Sequence, residues 1–255
     1  MDSSTGTSAV ARVFGLGENG LEVRHWLVSA PPSAFADSVH AMTEPVSLSD
    51  ELSSAMRANG LRLRRLPLRE LGSLHQALGA DVQERNVWLG QVLDWREIHR
   101  RNLGTDQHAI AVDGRVSRYR GGEFTLLVRA WTELTEFGPR LRFQCAPWYA
   151  PFDARQRSGG FVVRSSSLSL LAEHGYVYLL IGEAPNVSFE SAETSSDELV
   201  GPETHGPTTL GEFLLKPEDA RGRRVVIVLV PQIPSGLFPE AAESSHTDEP
   251  AGRNG

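Results

Sequence analysis

The chain has 255 residues, 40% of them hydrophobic, which is enough for one large folded unit or two smaller ones. Its formal net charge is -7. This acidity argues against nucleic acids and anionic membrane surfaces as partners, because both attract positive charge. No apolar run has the length that a bilayer-spanning helix needs, so the sequence predicts no membrane span.

Three stretches have the composition of disordered segments, because they are rich in Ser, Gly, Glu and Pro and offer little to bury. They are an N-terminal tail (1–20), an acidic loop (189–209) and a C-terminal tail (238–255). The N-terminus lacks the basic and apolar regions of a secretory signal. We therefore expect a periplasmic or envelope location only if a signal has been removed, and a cytoplasmic one otherwise.

Residues 21–105 alternate between strand and helix patterns, which predicts a small N-terminal α/β module of order β-α-β-α-β. GLEVRHWLVSA has the alternation of a half-buried strand. Ser47 or Ser49 then provides an N-cap for the helix in DELSSAMRANG, and Asn59-Gly60 ends that helix.

The rest of the module begins with LRLRRL, which is typical of a strand. Pro67 opens a second helix that Gly79 closes. VQERNVWLGQVLDW contains at least one further strand, in which Trp88 and Trp95 are expected to be large apolar anchors. Arg62, Arg64 and Arg65 would mark a solvated strand edge, with anion binding as the less favoured alternative.

Residues 106–237 have strand patterns and almost no helix signals, which predicts a mainly antiparallel β domain resembling a two-layer sandwich. HAIAVDGRVSRYR is typical of a hairpin with Asp113-Gly114 at its turn. The run VVIVLV, Val225–Val230, is apolar on both faces and should form a central strand that Pro231 ends. The fold class predicted for the whole chain is therefore α+β.

Strong catalytic and metal-binding motifs are missing from the sequence, so we predict no catalytic residue, no metal site and no cofactor. The eight histidines are scattered singly, which is typical of surface or packing residues. Cys145 is the single cysteine and is expected to be a buried, inert thiol.

Two groups of residues leave alternatives open. Ser165 to Ser167 lie near His174 in the sequence, but serine also suits the exposed face of a strand, and we favour that interpretation over a nucleophile. Trp131, Trp148, Tyr149 and Phe152 are expected to form core or rim rather than a ligand platform.

The C-terminal half resembles the core domain of bacterial secretins. Three stretches of sequence support this resemblance: GRVSRYRGGEFTLLVRAWTELTEFGPRLRFQCAPWY, FVVRSSSLSLLAEHGYVYLLIGEA and GPTTLGEFLLKPEDARGRRVVIVLVPQI. The matching positions are Arg164, Gly175, Gly182, Pro207, Leu210, Gly211, Phe213, Pro231 and Ile233. The amphipathic strands of the secretin membrane barrel are missing. The resemblance therefore implies a relative without a pore, which packs against its own copies or against an envelope apparatus.

The leading functional hypothesis is a non-enzymatic structural or assembly protein, with self-association or a protein partner. The alternative is a small-molecule-binding protein or a hydrolase. Its site would lie near Ser165 to Ser167, His174, Trp148 and Tyr149.

Overall fold

A computed structural model describes residues 19–79, 83–152, 160–183, 207–217 and 223–233. The predicted tails and acidic loop lie outside the described residues, apart from 19–20 and 207–209. The strands are β1 Gly20–Val28, β2 Glu44–Pro45, β3 Leu61–Pro67, β4 Gln83–Gly90, β5 Val92–Asn102, β6 Gln107–Val112, β7 Arg115–Arg120, β8 Glu123–Thr135, β9 Gly138–Ala150, β10 Phe161–Val162, β11 Leu168–Leu171, β12 Tyr176–Gly182, β13 Thr208–Thr209 and β14 Arg224–Gln232. The helices are α1 Pro32–Met42, α2 Asp50–Ala58, α3 Leu71–Ala77 and α4 Leu210–Leu214, with 3₁₀ turns at Leu68–Glu70 and Arg164–Ser166.

The described strands form three sheets, and the protein is a β-rich α+β protein with few helices. Sheet A has six strands in the order β2-β3-β12-β14-β1-β4. Sheet B has the order β10-β9-β8-β5, with β11 also paired to β9, and sheet C has the order β13-β6-β7. Every pairing in sheets A and B is antiparallel, whereas β13 runs parallel to β6.

Strand β14 lies inside sheet A, between β12 and β1, as the run VVIVLV predicts. Val226, Val228 and Val230 pack against α1 and α3 on one face of the sheet. The alternate residues on the other face belong to the core shared with sheet B; they are Val225, Ile227 and Leu229. Both faces are covered, so every position of the run is apolar.

The predicted end of this strand at Pro231 is wrong. β14 continues to Gln232, and Pro231 lies opposite Leu21 of β1. Pairing with β12 stops earlier, at Leu229. The proline therefore lies where β14 keeps a single neighbour, which is a position where a missing backbone donor is tolerated.

The two large sheets and the helices make three layers. Helices α1 and α3 cover one face of sheet A with Phe35, Val39, Leu71 and Leu74. The other face of sheet A packs on sheet B, as the ring contact between Phe143 and Tyr178 shows at 5.3 Å. The helical layer is an addition to the two-layer arrangement that the sequence predicts.

Strands from both predicted units share sheet A. β1 and β3 come from residues 21–105, but β12 and β14 from the later part of the chain lie between them. The strands of the predicted N-terminal module therefore do not form a sheet of their own. Sequence analysis also missed helix α1, which begins at Pro32 without a side-chain cap.

The local signals at helix ends and turns are confirmed. Ser49 caps α2, since its Oγ accepts a hydrogen bond from the Leu52 N–H at 3.3 Å. Gly60 follows that helix with φ +66°. Asp113 and Gly114 form the β6–β7 turn with φ 53° and 72°, the backbone of a type I′ turn.

The predicted strand edge at Arg62, Arg64 and Arg65 is wrong, because β3 lies between β2 and β12. Arg62 pairs with Glu183, with Nε 2.5 Å from Oε2. Arg64 donates to the Thr43 hydroxyl and carbonyl at 2.9 and 2.6 Å. Arg62 and Arg64 therefore join β3 to Glu183 and Thr43. In the described structure these arginines do not form an anion site.

We expect Val228→Asp to abolish soluble folding. Val228 is fully buried on the face of sheet A that the helices cover. An unpaired carboxylate there costs more than about 5 kcal/mol, which is comparable to the stability of a typical domain. Soluble yield and urea unfolding measure the effect. The control Val116→Asp changes a strand residue that is 55% exposed and should unfold like the parent protein. Normal folding of Val228→Asp would contradict the central position of β14.

Candidate protein-interaction surface

The outer face of sheet B carries an arginine stacked between two tryptophans. The Arg129 guanidinium carbon lies 4.9 Å from the ring centre of Trp95 and 5.5 Å from that of Trp131. Arg129 Nε also donates to Gln144 Oε1 at 2.7 Å, which fixes the guanidinium over strand β9. We call Trp95, Arg129 and Trp131 the aromatic patch. Such cation–π contacts hold large side chains in place at the protein surface.

Trp95 is exposed because β5 bulges. Val92 lies opposite Ala130, and Arg96 lies opposite Val128, so three residues of β5 face one residue of β8. The extra residues disrupt the regular pleat, and Trp95 is 41% exposed. Its predicted role as an apolar anchor is therefore wrong, since it packs on Arg129 at the surface.

Two exposed apolar residues lie at the β8–β9 end of sheet B. Leu134 is 85% exposed and Phe137 is 68% exposed. Arg140 lies over the Phe137 ring at 5.4 Å, and Arg142 forms an ion pair with Glu133. Exposed aromatic residues beside arginines are typical of the residues that dominate protein–protein binding.

The structure separates the four aromatic residues that the sequence grouped together, and Trp148 lies on β9 opposite Thr125 and Val162. Trp131 belongs to the aromatic patch, whereas Tyr149 contacts Tyr119 and Phe124, with ring centres 5.0 Å apart in each case. Phe152 is 59% exposed. Sequence reasoning missed the pairing of Trp95 with Arg129, because the bulge that creates it depends on the partner strand.

The serines proposed as an alternative site are held by a buried amide. Asn59 is fully buried, and its Nδ2 donates to Ser166 Oγ at 2.7 Å and lies 3.3 Å from Ser165 Oγ. Ser165 Oγ donates to Asp113 Oδ1. His174 lies in the exposed turn between β11 and β12. A serine nucleophile needs a base that takes its proton, whereas Ser165 is placed against a carboxylate and an amide that fix the local fold.

Asn59 and Gly60 form a tight junction of the chain. Asn59 Oδ1 accepts from the Asp113 N–H at 2.7 Å, and the Asn59 carbonyl accepts from the Gly211 N–H at 2.8 Å. The Gly60 carbonyl accepts from the Glu183 N–H at 2.8 Å. Four elements therefore meet at Asn59 and Gly60: helix α2, the β6–β7 turn, the end of β12 and helix α4.

We expect Gly60→Ala to destabilise the protein by about 3 kcal/mol. A Cβ at this position would lie 2.1 Å from Thr209 Oγ1, and the backbone has φ +66°. Chemical denaturation measures the change. Gly72→Ala is the matched control, because a Cβ there has no neighbour within 4 Å and Ala favours the helix by up to about 1 kcal/mol. Equal stabilities of the two variants would contradict the close packing at Gly60.

Two histidines join β5 to the rest of the fold. His25 Nε2 donates to the Ile98 carbonyl at 2.6 Å, and His99 Nε2 donates to the Leu214 carbonyl at 2.9 Å. Their ring centres lie 6.0 Å apart. Burial lowers the pKa of His25 and lowers the pKa of His99 to about 4, so both rings are neutral near pH 7.

We expect the free energy of unfolding to fall as the pH drops from about 6.5 towards 4. In this window an unfolded His99 takes up a proton that the folded ring does not, which removes about 3 kcal/mol in total. Urea unfolding at pH 7.5, 6.0 and 5.0 measures the slope. His99→Gln should reduce it, whereas His174→Gln, at an exposed turn, should not. An unchanged slope in His99→Gln would contradict the assignment.

The remaining candidates are the single cysteine, possible metal ligands and membrane-spanning helices. Cys145 is buried, and burial raises the pKa of its thiol to about 12, so the thiol is protonated and inert as predicted. Among the described residues, no group of three or more His, Cys, Asp or Glu could hold a metal ion. In the same part of the chain, no helix has the length and apolar character to cross a membrane.

Comparison with known proteins gives no relative: no protein-family model, no curated protein and no solved structure matches the chain.

Proposed function

We propose that the protein is a non-enzymatic assembly protein that associates with copies of itself, as the secretin-like resemblance of its C-terminal half implies. The single observation that supports this most directly is the aromatic patch, in which Arg129 lies between Trp95 and Trp131 on the outer face of sheet B. Tryptophan and arginine are the residues most enriched among those that dominate protein interfaces.

The neighbourhood of the patch also suits an interface. Phe137 adds an exposed apolar side chain at the β8–β9 turn, where Arg140 lies over its ring. Gln144 and the Glu133–Arg142 pair supply a polar margin, which is the usual surround of an apolar contact. The patch is held by strands of a packed sheet, so little conformational entropy is lost when it binds.

The resemblance to the secretin core adds a proposed cellular context. A relative of the secretin core without the membrane barrel would act beside an envelope apparatus, as a ring-forming or ring-binding component. Association between copies is the property that such a component needs, and the aromatic patch offers a surface for it.

We expect light scattering over a wide concentration range to show association, and we expect Trp95→Ala combined with Trp131→Ala to weaken it. Truncation of two central aromatic residues should move the association midpoint at least about tenfold higher in concentration. Leu68→Ala, which shortens a 46% exposed leucine away from sheet B, is the control.

Two results would overturn this function. A strictly monomeric parent protein would exclude self-association. Turnover of an ester, phosphate or glycoside substrate that Ser165→Ala abolishes would show instead that the protein is an enzyme.

A further inference from the structure

We propose that the open edge of strand β7 binds an extended acidic segment of a partner protein. Among the described strands, β7 is the outer strand of sheet C, and β6 is its single neighbour. The strand consists of Arg115–Arg120, so it shares no residue with the aromatic patch. The inference goes beyond the proposed function and does not depend on self-association.

β7 is anchored at one residue and exposed along the rest of its length. Tyr119 contacts Phe124 and Tyr149, with ring centres 5.1 and 5.0 Å apart, which fixes the strand against the core. The other five residues are exposed, and Val116 is 55% exposed. As far as the described residues extend, a partner segment therefore has access to this edge without any movement of the core.

The charge of the strand indicates an acidic partner. Arg115, Arg118 and Arg120 lie at exposed positions, and in the described ranges of the chain none of them has a salt bridge. Arg120 Nε donates to the Thr105 carbonyl at 3.2 Å, which leaves its terminal nitrogens available. Guanidinium groups bind carboxylates through paired, charge-assisted hydrogen bonds.

The backbone register places unpaired groups beside these arginines. In the type I′ turn the Arg115 N–H bonds back to Val112, its partner in the ladder. Alternation along an antiparallel pair then directs the backbone N–H and C=O groups of Val116, Arg118 and Arg120 away from β6. These groups form an open edge to which an extended peptide can add as a further strand.

The side chains define which peptide fits. Arg118 and Arg120 share one face of the hairpin, where their partners on β6 are Ala109 and Gln107. An added strand presents every second side chain on this face, so Asp or Glu at alternate positions would meet both arginines. A strand without acidic side chains would leave the charges of Arg118 and Arg120 uncompensated. The two arginines therefore also disfavour pairing with such a strand.

The test is fluorescence anisotropy with labelled eight-residue peptides. One peptide has glutamate at every second position, a second has the same composition with its glutamates consecutive, and a third has glutamine in place of glutamate. We expect the alternating peptide to bind most tightly and to lose affinity between 50 and 500 mM NaCl, because exposed charges are screened by salt.

Variants locate the binding edge. Arg118→Gln combined with Arg120→Gln should weaken binding at least about tenfold, since two charge-assisted contacts are lost. Val116→Pro removes an outward N–H without breaking the ladder to β6 and should also weaken binding, with its fold checked by thermal unfolding. The control, Arg69→Gln combined with Arg96→Gln, removes the same charge from exposed sites elsewhere and should bind like the parent protein.

Four outcomes would overturn the inference: no binding of the alternating peptide, equal binding of the consecutive peptide, an equal loss in the control variant, or equally tight binding of a single-stranded oligonucleotide. The last result would show a general anion surface. None of these outcomes bears on the association that the aromatic patch is proposed to mediate.

Discussion

The tertiary structure depends on the junction at Asn59 and Gly60. The side chain of Asn59 is fully buried, and it bonds to a backbone N–H, two serine hydroxyls and a carboxylate. Loss of these bonds would leave the Asn59 amide and the buried Ser166 hydroxyl unsatisfied. Gly60 permits the approach because its backbone is left-handed and a side chain would collide with Thr209. Segments that are far apart in the chain are therefore fixed at one point.

The junction also determines how the exposed surfaces are presented. Asp113 belongs to the turn between β6 and β7, so its bond to Asn59 sets the orientation of that hairpin and of the open edge of β7. On the other side, His25 and His99 hold β5, the strand that carries Trp95. Both candidate surfaces thus rest on elements fixed by partly buried hydrogen bonds, which reduces the reorganisation that binding requires.

Local sequence determines much of this architecture, and nonlocal pairing determines the rest. The run Val225–Val230 predicts a strand buried on both faces, and Asp113-Gly114 predicts a turn, because each signal is contained in a few neighbouring residues. The insertion of β12 and β14 between β1 and β3 could not be predicted, since no local pattern specifies a distant partner. The exposure of Trp95 follows from the unequal residue count between β5 and β8, which is likewise a property of the pair.

The polar side chains that the sequence offered as candidates for catalysis form hydrogen bonds within the fold. Ser165 and Ser166 complete the bonds of Asn59, and the two buried histidines donate to backbone carbonyls. These hydrogen bonds join segments that are far apart in the chain, so the same side chains help to hold the fold together. The aromatic patch of sheet B and the arginines of β7 are the surfaces through which we propose contact with other proteins. Both surfaces are built around tryptophan or arginine side chains, which are enriched among the residues that dominate protein interfaces.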